Sequence, residues 1–62
     1  MLGMLRATEA EAREDAQAFA NQSGHDVFIG RARDAEDRFN SMTVGFDEET
    51  WLIIGVVAPE LP

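Results

Sequence analysis

Ser23, His25 and Asp26 place a hydroxyl, the chain's one imidazole and a carboxylate within a four-residue stretch. These are the residue types of a nucleophile, its general base and the acid that orients the base. Such a triad works when its members converge from separate elements, so that the imidazole takes the hydroxyl proton while the carboxylate holds the ring from behind. Three groups on one turn cannot converge in that way. The expected role of His25 is structural, beside the last carbonyls of a preceding helix.

Carboxylates offer a second chemistry. Glu48 and Glu49 are adjacent, and Asp34, Glu36 and Asp37 fall within one short segment. General acid–base catalysis needs a cleft that shifts a carboxyl pKa, whereas consecutive acids in polar turns are solvated. No segment has the Asp-x-Asp-x-Asp-Gly spacing and distal Glu of a calcium loop. The chain has no cysteine and one histidine, which removes disulfides, thiolate or His-rich metal sites and a Cys nucleophile. Arg31, Arg33 and Arg38 flank the first acidic segment and are expected to pair with its carboxylates. Gly30, Gly45 and Gly55 fall inside strand-like runs, where glycine marks a bulge or a close backbone approach. They lack the strand–loop–helix setting of a phosphate cradle. The expectation is therefore no catalytic residue, no cofactor and no metal.

The elements that carry these residues are short. Leu2 to Ala7 reads as a first strand. Thr8 and Glu11 form a capping box, and Glu9 and Glu11 suit the positive end of a helix dipole. With no Gly or Pro through Gln22 and Gly24 placed to close it, the helix is expected over 9–22. Ala12, Ala16, Phe19, Ala20 and Ser23 share one face of it. Further strands are expected over Asp26–Ala32, Phe39–Phe46 and Trp51–Ala58. Val27 and Ile29 would face one side with Phe28 and Gly30 opposite; Met42, Val44 and Phe46 would oppose Phe39, Ser41 and Thr43. Asp47-Glu48-Glu49 reads as the turn of a hairpin. The fold class is α+β: one helix on a small, mainly antiparallel sheet, in the order β-α-β-β-β. The last three strands would form a meander, within a single domain covering 1–62.

The last strand carries the sharpest signal. Strict alternation puts Leu52, Ile54 and Val56 on one face and Trp51, Ile53 and Val57 on the other, so both faces are apolar. A sheet with one wet face alternates apolar with polar, and one helix covers one face. Three arrangements would account for the second face: a small core under a curled sheet, a homodimer, or a different protein docked on the patch. Trp51, Ile53, Val57 and Phe28 are the expected partner or dimer contacts, with Trp51 first because tryptophan is enriched at binding hot spots.

Composition bounds the partners. The chain has 62 residues, with 12 Asp and Glu against 5 Arg and no Lys, a net charge of −7. Nucleic acid and anionic membranes need cationic neutralisation, so neither is expected as a direct partner. Asp34, Glu36, Asp37, Asp47, Glu48 and Glu49 form an acidic surface suited to a basic protein. Below about 70–80 residues a single core seldom supplies more than about 3–5 kcal/mol, and self-association is the staple that remains. No basic segment precedes the apolar residues at 1–5, and no apolar run approaches a spanning length of about 20 residues. The expected location is cytoplasmic.

The functional expectation is a non-catalytic acidic interaction module, homodimeric, with the general character of inhibitors or accessory proteins that dock on larger assemblies, as phages and mobile elements carry. Two alternatives stand beside it. One is a nucleic-acid mimic on a basic protein surface. The other is a small-ligand or enzymatic site formed only at a dimer interface, near Trp51, His25 and Arg31.

Overall fold

The computed structural model describes residues 5–43 and 47–60. Helix α1 spans Glu9–Ser23, β1 spans Val27–Ala32, β2 spans Phe39–Met42 and β3 spans Trp51–Val57. The order among the described residues is thus α-β-β-β. Of the expected first strand, positions 2–4 lie outside the described residues. Within Leu5–Ala7 a single antiparallel bridge forms, Arg6 with Phe39, with both backbone hydrogen bonds at 2.9 Å. The N-terminal segment therefore meets the outer side of β2.

The helix forms where its local signals place it. Thr8 adopts extended backbone and its hydroxyl accepts from the Glu11 N–H at 3.3 Å. The Thr8 hydroxyl also donates to the Glu11 carboxylate at 2.9 Å. At the other end Gly24 takes φ +75°, and its N–H donates to the Ala20 carbonyl at 2.8 Å. Ala12, Ala16 and Ala20 are fully buried against Val27 and Ile29, with Phe19, Phe39, Ile54 and Val57 packed around them. Three alanines let the helix lie close to the sheet but contribute little apolar area. Each absent methylene forgoes about 0.8 kcal/mol of burial. Ser23, expected on the same stripe, is exposed.

The sheet order is β2-β1-β3, with β1 antiparallel to both neighbours. This replaces the expected meander: β2 and β3 do not pair but flank β1. The reason lies in β1, whose fully buried Val27 and Ile29 make it the central strand, with a neighbour on each side. Asp47 accepts from the Thr50 and Trp51 N–H groups through its carbonyl. Its carboxylate accepts from the Glu49 N–H at 2.9 Å and the Thr50 hydroxyl at 2.8 Å. These bonds close the turn that leads into β3. The Arg33 N–H then donates to the Thr50 carbonyl, continuing the β1–β3 ladder into the turn. Positions 44–46, which include Gly45 and the end of the expected third strand, lie outside the described residues.

Candidate interaction surface

The two faces of the sheet differ in what covers them. On the helix side, Val27 and Ile29 are wholly buried. On the opposite side Ala32, Met42 and Trp51 make a second small cluster, with Ala35 packed against it. Gly30 lies beneath it: a Cβ there would stand 2.6 Å from Met42 Cε and 3.4 Å from Trp51 Cβ. Glycine at this position is thus a close approach of side chains on the outer face. The close helix approach is the work of the alanines. Gly55 does face the helix, but what overlies it is the Arg13 guanidinium, 3.0 Å from where its Cβ would be.

A bulge decides which β3 residues reach the outer face. Ala32 pairs with Trp51, Arg31 with Leu52 and Gly30 with Ile53, but Ile29 pairs with Gly55, leaving Ile54 as the extra residue. An extra residue reverses the alternation beyond it. Trp51, Ile53 and Val56 therefore share the outer face with Phe28 and Gly30. Leu52, Gly55 and Val57 lie on the helix side, where Ile54 and Val57 pack against the helix cluster. This corrects the strict alternation expected for the strand.

The expected contact residues separate accordingly. Phe28 and Ile53 are half-buried on the outer face. Trp51 is 9% exposed and held in the second cluster, so its bulk serves the fold in the free chain. Val57 belongs to the helix side. Val56, which alternation hid, is 54% exposed. Gly55 inside the strand was the signal that could have revealed it, since an isolated strand glycine often marks a bulge.

The acidic residues Asp34, Glu36, Asp37, Asp47, Glu48 and Glu49 are all exposed. Their two turns are tied together by Arg33, whose Nε donates to the Glu48 carbonyl at 2.7 Å. Hydrogen bonds from the Thr50 hydroxyl, and next from the Glu49 N–H, hold the Asp47 carboxyl below its ordinary value. Arg31, Arg33 and Arg38 form no ion pair among the described residues; the ion pairs there are those of Arg6 and Arg13.

Of the residues that suggested catalysis, Ser23 is engaged with backbone. The Ser23 hydroxyl accepts from the backbone N–H of His25 at 3.3 Å, and the helix end is closed by Gly24. Among the described residues no group of His, Asp or Glu is arranged to hold a metal ion. A shallow groove of about 160 Å³ runs beside the helix, lined by Arg6, Asp15, Ala18, Phe19 and Gln22. Ligand pockets usually measure about 300–1,000 Å³. The charged groups of this groove already satisfy each other: Arg6 grips Asp15 through Nε at 2.8 Å and Nη2 at 3.2 Å. That hydrogen bond, then the charge of Asp15, holds the Arg6 guanidinium above its already high value. No helix among the described residues is long and apolar enough to cross a membrane. Comparison of the chain with family models, with curated proteins and with solved structures found no match in any of the three.

Proposed function

We propose that this chain is a non-catalytic, acidic protein-interaction module that self-associates as a dimer and docks on a larger assembly. The observation that carries the reading is β3. Among the described residues it is an edge strand of the sheet, paired on one side to β1. It is apolar along its length and leaves Val56 half in solvent. Proteins normally blunt a long apolar edge with charge or proline. Here residues 50–59 carry no charge, and the nearest proline, Pro59, lies beyond the strand. The alanine-faced helix adds to this, because a core so poor in large side chains gains more from a subunit contact than a richer one would.

The acidic end favours a second contact, with a basic protein. Six exposed carboxylates on two linked turns outnumber the exposed Arg31, Arg33 and Arg38 beside them, a net negative surface of the kind that steers encounter with a cationic partner. This is the part of the molecule through which a nucleic-acid mimic or an inhibitor of the phage type would act. The two surfaces are separated by their response to salt. Capture of cell proteins on the immobilised chain, repeated with Glu48→Gln/Glu49→Gln and with Val56→Lys, tests the assignment. Loss of a basic partner in the first variant alone supports docking through the acidic turns. Equal capture by the wild type and the Glu variant would count against it.

A further inference from the structure

We infer that the occupant of the edge of β3 left open among the described residues is the β3 strand of a second copy, antiparallel, with Ile53 of each protomer opposite Val56 of the other. The inference rests on the proposal of self-association and adds its register. It starts from the direction of the backbone groups. The Ala32 N–H donates to the Arg38 carbonyl and the Arg33 N–H to the Thr50 carbonyl. Even-numbered residues of β1 thus point at β2, and odd-numbered ones at β3. Their β3 partners are Leu52, Gly55 and Val57. By the alternation of an antiparallel ladder, Trp51, Ile53 and Val56 turn their N–H and C=O groups to the open edge. Trp51 has given its N–H to Asp47, which leaves Ile53 and Val56 as the complete pairing units.

Two such units are self-complementary about a two-fold axis. With the dyad between Ile54 and Gly55, Ile53 meets Val56 of the partner and Val56 meets Ile53. Each spans the same bulge, so the spacing matches by identity. The same two residues carry partly exposed apolar side chains on the outer face, so the pairing that satisfies the edge also covers them. A charge-free strand also selects a charge-free partner, since a charge buried in the seam would be costly. A standard interface takes about 800 Å² from each partner, about a fifth of this chain's 4115 Å² surface. A seam of one strand lies at the low end, so the dimer is weak. Beyond the seam, the acidic turn at 47–49 in one copy approaches Asp26 and Glu60 in the other. Salt therefore strengthens the dimer, whereas it would weaken docking on a basic partner.

The absence of cysteine allows a register-specific test. Ile53→Cys and Val56→Cys variants, one of them isotope-labelled, are mixed and oxidised in a glutathione buffer, and the products are read by mass. The mixed disulfide is expected to form at least about tenfold faster than either homodisulfide, because 53–53 and 56–56 pairs lie too far apart to bridge. As a second arm, Val56→Lys, at an exposed position that leaves the fold intact by circular dichroism, should raise the dimer Kd about tenfold or more, since symmetry removes two cross-strand pairs. Homodisulfides in preference to the mixed product, in a sample that sediments as a dimer, would overturn the register and leave self-association standing. A chain that stays monomeric at millimolar concentration and forms all products at random would overturn both.

Discussion

Ser41→Ala should stabilise this protein, although it removes a polar group from a strand. Ser41 lies in β2, is 1% exposed and pairs with the fully buried Ile29. Its Oγ makes no hydrogen bond among the described residues, while its N–H is used by the side chain of Asn40 at 2.9 Å. A buried hydroxyl without a partner costs about 1–3 kcal/mol. Alanine removes that penalty and keeps the Cβ. The gap it leaves is one oxygen atom, worth a few tenths of a kcal/mol at about 24 cal/mol per Å³. A further few tenths are lost because alanine is a poorer strand former. The net expectation is a gain of about 1 kcal/mol, which in a domain of this size raises Tm by about 4–8 °C. Urea unfolding followed by circular dichroism at low micromolar concentration measures it without a contribution from association, and the urea slope should not change. A loss of about 1 kcal/mol would refute the reasoning, since it would mean that the hydroxyl is satisfied in solution.

The helix ends offer two further tests. Thr8→Ala removes the cap on the Glu11 N–H and should cost about 1 kcal/mol, read by the same unfolding assay; no change would mean the first turn frays in solution. Gly24→Ala has open space around its Cβ yet must hold φ +75°, so it should cost about 1–2 kcal/mol from backbone strain alone. Asp47 gives a pH test. Its folded carboxyl is depressed below the ordinary 3.8. Its contribution is therefore present above that pH and lost as pH falls through the lower, folded value. Trp51 donates its N–H to the Asp47 carbonyl and is the chain's single tryptophan. Its fluorescence should be flat from neutral pH down to about 4 and change only below it. In Asp47→Asn that acid step should disappear; its persistence would assign the change to other carboxylates.

Local features were legible in the sequence, and long-range pairing was not. The helix could be placed from Thr8, Glu11 and Gly24 because capping is settled within a few residues, and observation moved its end by one residue, to Ser23. The β1 faces followed from period-two alternation, as Val27 and Ile29 against Phe28 and Gly30. The strand order did not follow, because the turn at Asp47–Glu49 looks the same whether it closes a hairpin or starts a crossing. Deciding between them takes the tertiary fact that β1, with its two fully buried side chains, accepts a neighbour on each side. The outer face was misassigned beyond Ile53 for a related reason. A single extra residue at Ile54 reverses every side chain after it, so Val56 and Val57 exchanged roles. Gly55 marked the possibility but not its direction.

Sedimentation equilibrium of the full chain, from micromolar to millimolar concentration and at low and high salt, tests the central claim most directly. Self-association through a neutral apolar edge on an acidic protein predicts a reversible monomer–dimer equilibrium whose Kd falls as salt rises. A chain that remains monomeric at millimolar concentration in every salt condition would contradict the claim and leave β3 an edge without a partner of its own kind.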